Sequence, residues 1–266
     1  MRRSKSDYVI QTVANAFRLL EEFGGSTCEL GVTELSDRLK LHKNNVFRLL
    51  ATLQQQGYVE QCAETEQYRL GRSCLALGQA FSETRSLLRF GRPVLARLAE
   101  DTHESAHIAV LSSYEVVHLD GEQPKQLVAT SLRTGERLAA HCTALGKVLL
   151  ASRSAAALAQ LDKERVKAGK LVAHTPATIT DRDKFFEHLR AVASQGWALD
   201  LEECAPGLCC VAAPVHDATG AVVAAISVSA PAFRASEARI HSDVMPNVLA
   251  AARELSARMG FVATAA

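Results

Sequence analysis

Residues 43–53 read KNNVFRLLATL, and this stretch decides what the first part of the chain can form. Its apolar side chains recur at the spacing i, i+3, i+4 and i+7, which places them on one face of an α-helix. These residues are Val46, Leu49, Leu50 and Leu53. On the opposite face lie Asn44, Arg48 and Thr52, with Asn45 near its edge. The pattern predicts a helix that is buried on one side and presents amide and guanidinium donors on the other.

The segments on either side of this helix predict a winged helix-turn-helix. Residues 9–23 indicate a first helix that ends at Gly24-Gly25, because glycines favour the left-handed geometry of a helix end. The apolar stripe of that helix comprises Ile10, Val13, Phe17 and Leu20. Thr33 is a candidate cap for a short second helix. Residues 58–60 and 67–70 read as two short strands around a polar loop, which is a wing.

The polar face of the third helix suits the major groove of DNA, since asparagine matches adenine bidentately and arginine matches guanine or phosphate. Residues 38–59 carry four basic residues and no acidic one. A solvated face is the plainer explanation of one amphipathic helix, but the order of helix, short helix, acid-free helix and wing favours double-stranded operator DNA as a partner. The predicted DNA-binding residues are Lys43, Asn44, Asn45, Arg48 and Thr52 of the helix and Arg69 of the wing.

Length and composition indicate a folded protein of about two domains, given 266 residues and ~150 residues per domain. Lys+Arg is 30 and Asp+Glu is 29, so the charge offers no overall attraction to nucleic acid or membrane, and any such partner needs a local patch. The N-terminus lacks the apolar block of a secretory signal, so we expect a cytoplasmic location and no membrane partner. We expect the seven cysteines to be free thiols in that reducing compartment.

The second half of the sequence predicts an α+β domain with a mainly antiparallel sheet flanked by helices. Pro93 is placed to open a helix, since proline is tolerated in a first turn. Residues 208–215 and 222–228 read as a hairpin. Other strands are expected at 108–111, 116–119 and 127–130, and helices at 143–152 and 181–195, with Thr180 and Asp183 placed much like a capping box. The expected boundaries are 1–71 for the winged helix-turn-helix domain, 72–90 for a linker helix and 91–266 for the second domain.

Several blocks of sequence, in order, resemble the IclR family of bacterial transcriptional regulators over nearly the whole chain. In the first half the resemblance rests on Phe47-Arg48-Leu49-Leu50, Leu53, Gly57-Tyr58-Val59 and Tyr68-Arg69-Leu70-Gly71. In the second half it rests on residues 141–147 (HCTALGK), Gly196-Trp197 leading to Asp200 and Glu203, residues 207–215 and residues 220–231. The resemblance implies a GAF/PAS-like effector-binding domain, self-association as dimers or tetramers, and control of DNA binding by a small metabolite, often an organic acid.

Carried over position by position, the resemblance implies a ligand pocket in the second domain. Its expected ligand-facing residues are Asp200, Leu208, Cys210, Ser227 and Ser229, and its expected wall comprises Gly135, Ala144, Leu145 and Gly146. Independently, Ser227 and Ser229 are two positions apart on one predicted strand, so both hydroxyls lie on the same face of an apolar run. Bonds to backbone or water would also satisfy them. The resemblance favours donation to a bound carboxylate.

Residues 103–107 read HESAH and match the H-E-x-x-H motif, in which His103 and His107 would bind zinc and Glu104 would polarise water. That chemistry needs one helix through both histidines, whereas the seam formed by Val94, Leu95 and Leu98 predicts that the helix ends near Thr102. A zinc-dependent enzyme fused to a DNA-binding module is therefore a minority alternative.

Cysteine chemistry is a second alternative. Cys204, Cys209 and Cys210 could form a thiol-redox sensor, although their spacing contains no C-x-x-C pair and cysteine in an apolar strand is usually a small hydrophobe. The preferred prediction is a ligand-responsive transcriptional regulator, with a repressor favoured over an activator and with no enzymatic chemistry, cofactor or metal.

Overall fold

The structure is a computed structural model that describes residues 9–24, 29–84, 86–165 and 171–262. The chain divides into two compact units, Met1–Thr84 and Arg85–Ala266. Gly25, the second residue of the predicted helix stop, lies outside the described residues. No helix in these ranges is both long enough and apolar enough to cross a membrane.

The first unit is a winged helix-turn-helix, as predicted. It contains α1 (Gln11–Glu21), α2 (Val32–Leu39), α3 (Lys43–Gln55), β1 (Val59–Gln61), β2 (Tyr68–Leu70) and α4 (Arg72–Thr84), and β1 and β2 pair as an antiparallel wing. Its core consists of Leu19, Phe23, Leu30, Leu35, Leu39, Val46, Leu49, Leu50, Leu53, Val59 and Tyr68. The four apolar residues of α3 that share a helical face are thus all buried together, which confirms the orientation predicted for α3.

Two details of the first unit differ from the prediction. The helix α2 begins directly after Gly31, so Thr33 lies inside the helix and does not cap it. Along α1 the buried residue is Leu19, whereas Ile10, Val13 and Phe17 are 68%, 48% and 60% exposed. The helix therefore carries apolar residues on two faces, and the face that packs on the core lies beside the predicted one.

The second unit has a six-stranded sheet with helices on both faces, which confirms the α+β prediction. The strands are β3 (Ser105–Ser112), β4 (Glu115–Glu122), β5 (Arg137–Ala139), β6 (Ala198–Leu201), β7 (Leu208–His216) and β8 (Val222–Pro231). They lie in the order β5-β4-β3-β8-β7-β6, and every neighbouring pair is antiparallel. The helices are α5 (Ser86–Thr102), α6 (Ala144–Ala151), α7 (Ala155–Arg165), α8 (Arg182–Gln195), α9 (Glu237–Arg239) and α10 (Met245–Arg258).

The alternation of side chains along β8 shows how the sheet separates two packed layers. Ala224, Ile226 and Val228 pack with residues of α5 and α10 on one face. Ala225 packs with residues of α6 and α8 on the other face. Because side chains alternate along a strand, Ser227 and Ser229 share the face of Ala225. The two serines are therefore placed beneath α6, on the side of the sheet away from α5.

The structure corrects several elements predicted for the second unit. Pro93 lies inside α5, which begins at Ser86 and gives up one main-chain bond at the proline. Residues 127–130 form no strand, and the cap of α8 is Asp181, whose side chain accepts a bond from the Lys184 N–H. The prediction missed β5, β6 and α7 because β5 and β6 are only 3 and 4 residues long and α7 has no clear apolar stripe.

Candidate functional site

The exposed face of α3 carries the predicted DNA-binding side chains of the helix. Lys43, Asn44, Asn45, Arg48 and Thr52 are all exposed, and α3 contains no acidic residue. The Thr52 hydroxyl donates to the carbonyl of Arg48 at 2.9 Å, so part of its bonding capacity is used inside the helix. Amide, ammonium and guanidinium donors thus line one side of a helix whose other side is fixed in the core.

The basic residues near α3 differ in their availability. Arg69 on the wing is paired with Glu60 at 2.7 Å and lies 3.9 Å from Glu29. Arg38 is similarly paired with Glu34. Within the described part of the chain, Lys43 and Arg48 have no carboxylate partner at ion-pair distance. These two cations can therefore meet a phosphate or base without first breaking an ion pair.

The prediction missed Phe47, which lies on the same exposed side of α3 and is 54% exposed. An aromatic ring at this position can contact the methyl group of thymine in the major groove. The signal was present in the sequence, because Phe47 directly follows the buried Val46 and so cannot share its face.

The second unit contains a cavity between the sheet and the start of α6. It is lined by His118, Arg133, Leu138, Thr143, Ala144, Leu145, Asp200, Cys204, Leu208, Cys210, Ser227 and Ser229. Its space is about 330 Å³ when the part open to solvent is included, but the lining atoms are so close together that very little of it admits a water molecule. Room for roughly one water is left in this form.

Seven of the nine predicted pocket residues line this cavity, and two do not. Gly135 is exposed at a turn with a φ of +84°, a conformation that favours glycine. Gly146 lies against Ala140, where a Cβ would come within 2.1 Å of the Ala140 carbonyl oxygen. Its role in the structure is to let α6 approach the turn before it.

Strand pairing brings the polar residues of the cavity together. Asp200 on β6 lies opposite Cys210 on β7, and Cys210 lies opposite Ser229 on β8. The Cys210 sulfur and the Ser229 hydroxyl are 3.2 Å apart. Residues directly opposite each other in a sheet share a face, so these three side chains form one row along the cavity floor.

Asp200 is buried and only half satisfied. Its Oδ1 accepts bonds from the N–H groups of Glu203 at 2.7 Å and Cys204 at 3.3 Å, whereas its Oδ2 has no partner among the described residues. Burial raises the pKa of Asp200 to about 7, although the N–H bonds and the Lys147 charge oppose the shift. Near neutral pH the carboxyl group is therefore present in two forms. The protonated form can donate a hydrogen bond, and the ionised form can only accept one.

Two further cavity residues carry buried polar atoms without a partner in the described ranges. They are His118, at both ring nitrogens, and Ser227, at its hydroxyl. Burial lowers the pKa of His118 to about 4, and the nearby Arg133 charge adds to the shift. The imidazole is thus neutral at physiological pH, with one nitrogen able to donate and the other able to accept.

Arg133 and the start of α6 supply the positive potential of the cavity. Arg133 is part-buried and has no carboxylate at ion-pair distance among the described residues. Thr143 caps α6 by accepting the Gly146 N–H at 3.1 Å, and Ala144 and Leu145 form the first turn at the cavity wall. A helix N-terminus favours anions, so both features suit a negatively charged group. Sequence reasoning did not find Arg133, His118, Leu138 or Cys204, because they lie on other segments than the predicted residues. It also missed Thr143, which directly precedes the predicted Ala144 and caps the same helix.

The geometry of residues 103–107 does not support the zinc-enzyme alternative. His103 has a φ of +55° and lies between α5 and β3, so no helix passes through both histidines. Glu104 is fully buried, and both of its oxygens accept bonds from Arg234 and Arg239 at 2.7–2.9 Å. A carboxylate held by two guanidinium groups is a structural ion pair and has no oxygen free to polarise water.

The thiol-sensor alternative is not supported either. Cys209 and Cys210 are consecutive residues of β7, so their sulfurs lie on opposite faces of the sheet. Cys204 and Cys210 line the cavity, whereas Cys209 does not. The structure therefore does not bring the three cysteines together.

In the described ranges, the one His/Cys group with metal-ligand spacing is His141, Cys142 and His174.

A winged helix-turn-helix with an acid-free third helix, joined to a domain that encloses a polar cavity, defines the class of two-domain transcriptional regulators. The IclR C-terminal domain of bacterial transcriptional regulators matches residues 79–257, and the IclR helix-turn-helix domain matches residues 12–62. The chain belongs to the IclR family and is a DNA-binding transcriptional regulator, not an enzyme.

Relatives agree with this assignment, and a solved structure shares the fold. The transcriptional regulator BhcR of Paracoccus denitrificans (strain Pd 1222) is 35% identical over 227 residues, which cover 85% of this chain and 80% of that protein. The transcriptional repressor IclR of Escherichia coli (strain K12) is 32% identical over 253 residues, which cover 94% and 90%. An IclR homologue from Microbacterium hydrocarbonoxydans in complex with 4-hydroxybenzoate shares the fold, with a TM-score of 0.80 and 21% identity over 93% of this chain and 98% of that one.

Proposed function

We propose that this regulator is a repressor whose binding to operator DNA is controlled by a small organic acid held in the cavity. The observation that carries the proposal is the set of unpartnered polar atoms, on Asp200, His118 and Ser227, that converge there with Arg133. A buried polar atom without a partner costs free energy, and a ligand that bonds to it removes that cost. Relatives named as repressors support the direction of regulation.

The polarity of the cavity supports a carboxylate that also carries a hydroxyl or keto group. The carboxylate would face Arg133 and the N–H groups at the start of α6, with Ser227 and Ser229 as hydroxyl donors. A ligand hydroxyl would donate to the free Oδ2 of Asp200, so that two carboxylates do not meet directly. The 4-hydroxybenzoate bound by the structural neighbour has both kinds of group and supports the same ligand class.

The small free volume of the cavity implies that the effector widens it on binding. Space for roughly one water cannot hold an organic acid, so the walls must move apart. We propose that this movement starts in the effector domain, residues 91–266, and is transmitted through the linker at residues 72–90 to the DNA-binding domain, residues 1–71. A ligand that binds one arrangement better than the other shifts the population accordingly.

The DNA contacts that we propose are Lys43, Asn44, Asn45, Arg48 and Thr52 of α3, with Arg69 of the wing. Arg69 has to exchange its bond with Glu60 for one with phosphate. We propose that two copies of the chain bind one operator in the cytoplasm, each presenting one α3 to a half-site. The exposed apolar residues Val13 and Phe17 of α1, with Ile10 directly before the helix, support such self-association, since a second copy would cover them.

The experiment that tests the effector proposal is calorimetric titration of small hydroxy- and keto-carboxylates and of their uncharged amides. We expect the acids to bind and the amides to bind much more weakly. Arg133→Gln should weaken binding of the acid by roughly tenfold or more, because the charged hydrogen bond is lost. The matched control is Arg137→Gln, which removes a nearby arginine that pairs with Glu115 at the surface. Equal binding of acids and amides, or of both arginine variants, would overturn the proposal.

A further inference from the structure

We propose that His141, Cys142 and His174 form a binding site for Zn²⁺ in the second unit. One atom of each side chain, a ring nitrogen or the sulfur, lies within 4.8 Å of the corresponding atom of the other two. Ligand atoms of a tetrahedral zinc ion bonded at ~2.0–2.3 Å lie somewhat closer together than this, so a small closure suffices. Two imidazoles and a thiol are donors that select Zn²⁺ over Mg²⁺ or Ca²⁺, which prefer oxygen.

The hydrogen bond of His141 leaves the other ring nitrogen available to a metal. Nε2 lies 2.8 Å from the carbonyl oxygen of Val172. A carbonyl oxygen only accepts, so Nε2 carries the hydrogen and Nδ1 carries the lone pair. Nδ1 is buried and has no partner among the described residues, in a side chain that is only 3% exposed. A ligating histidine bonded through its other nitrogen to a backbone carbonyl is the usual arrangement around a metal.

Packing accounts for the burial of His141 but not for its free nitrogen. The ring stacks on Tyr114, with centroids 6.3 Å apart, and meets Phe185 edge-on at the same distance. An aromatic or aliphatic side chain would fill that space without burying an unpartnered nitrogen. The third ring contact is with His174, whose centroid lies 5.6 Å away.

Both segments that supply the ligands are held in place. His141 and Cys142 lie in the turn Ala140–Cys142, between β5 and α6. The His174 N–H donates to the Thr178 hydroxyl at 3.1 Å, and the Thr175 and Thr178 hydroxyls donate to the carbonyls of Glu202 at 2.6 Å and Glu203 at 2.7 Å. The segment that carries the exposed His174 is therefore anchored, which reduces the entropy lost when a metal binds.

The location of the site gives the metal a structural consequence. Cys142 is followed directly by Thr143, Ala144 and Leu145, which line the cavity. A zinc ion would tie this wall to the segment around His174. Because His174 is exposed, a fourth position on the metal would face solvent and be filled by water. The site shares no residue with the cavity lining, so it is distinct from the effector site proposed above.

The test is metal uptake by the full-length protein after treatment with a chelator. We expect one Zn²⁺ per chain by calorimetry and elemental analysis, and with Co²⁺ an absorption band from sulfur-to-metal charge transfer. His174→Ala, which changes an exposed side chain, should weaken Zn²⁺ binding by at least about tenfold. Cys142→Ser should abolish the charge-transfer band. The control is His103→Asn, since asparagine tolerates the positive φ of that exposed residue.

The outcomes separate the proposal from its alternatives. Absence of stoichiometric uptake by the native protein would overturn it, as would uptake that His174→Ala leaves unchanged. Circular dichroism of each variant shows whether it is folded, and the exposed His174 keeps the test informative even where Cys142→Ser fails to fold. None of these measurements uses operator DNA or an organic acid, so they do not depend on the proposed function.

Discussion

The exposed face of α3 and the cavity beneath α6 both gather polar side chains, but under opposite conditions. On α3 the donors of Lys43, Asn44 and Arg48 are in water and are satisfied while no partner is bound. In the cavity, Asp200, His118 and Ser227 keep unpartnered atoms out of water. A complex at the α3 surface is stabilised only by the contacts made with the partner. A ligand in the cavity also removes the free-energy cost of the buried atoms that had no partner.

Burial therefore decides how each region contributes to the free energy of binding. Exposed charges on a DNA-binding helix contribute through phosphate and base contacts and depend on salt. Buried polar atoms destabilise the empty state and therefore increase the effect of a ligand on stability. Unpartnered groups in the cavity should therefore respond to substitution differently from buried groups that are fully paired.

The largest expected effect comes from unpairing a buried charge outside both regions. Glu104→Ala leaves Arg234 and Arg239 without the buried carboxylate that accepts bonds from both. We expect the free energy of unfolding to fall by about 3–5 kcal/mol, the cost of breaking a buried pair. Urea denaturation measures this change. Glu115→Ala, which removes a surface partner of Arg137, should cost no more than ~1 kcal/mol. Similar losses for the two variants would remove the distinction between buried and exposed pairs.

A second test concerns the charge of Asp200. Its folded pKa of about 7 lies above the ordinary 3.8, so folding favours the protonated form. The free energy of unfolding should therefore fall as the pH rises from ~4 to ~7, and the full penalty is present above pH 7. Asp200→Asn should remove this loss and raise the free energy of unfolding at pH 8 by roughly 2–4 kcal/mol. Urea denaturation of both proteins at pH 5 and pH 8 measures it, and a pH-independent difference would contradict the shift.

The sequence allowed the α3 surface to be predicted almost completely, because helical periodicity is local. Val46, Leu49, Leu50 and Leu53 determine which side is buried, and the polar residues follow from the same spacing. Ser227 and Ser229 were placed on one face by the same kind of reasoning along a strand. The ion pair of Arg69 with Glu60 was not predictable from a single strand, since it depends on the register of the wing.

The rest of the cavity depends on contacts between residues far apart in the chain. The row of Asp200, Cys210 and Ser229 joins three strands, of which β6 is too short to give a periodic signal. Arg133 reaches the cavity from the segment between β4 and β5, where no regular pattern exists. The resemblance to a family supplied Asp200 and Cys210, but it gave no reason to expect the cation.

A third prediction addresses the exposed region alone. Arg48→Ala should weaken binding to DNA upstream of the protein's own gene by about 1–3 kcal/mol. The loss is that of one base or phosphate contact, since the substitution leaves no buried group unpaired. Fluorescence anisotropy at several salt concentrations measures both the affinity and its salt dependence. Gln55→Ala, an exposed change in the last turn of the same helix, is the control. Loss of organic-acid binding in Arg48→Ala would contradict the separation of the two regions.

The smallest expected effect distinguishes an unpartnered hydroxyl from a paired one in the same sheet. Ser227→Ala removes a buried hydroxyl without a partner, so stability should stay the same or rise slightly. Ser105→Ala removes a hydroxyl that donates to the Thr130 carbonyl at 2.7 Å. Stability should fall by about 0.5–1.5 kcal/mol, the value of one hydrogen bond, because the Gln123 amide still donates to that carbonyl at 3.0 Å. Organic-acid affinity should fall in Ser227→Ala by about 0.5–1.5 kcal/mol, with operator affinity unchanged in the absence of ligand. If Ser227→Ala instead destabilised the protein as much as Ser105→Ala, the hydroxyl of Ser227 would have a structural partner, and the cavity would no longer differ from an ordinary core.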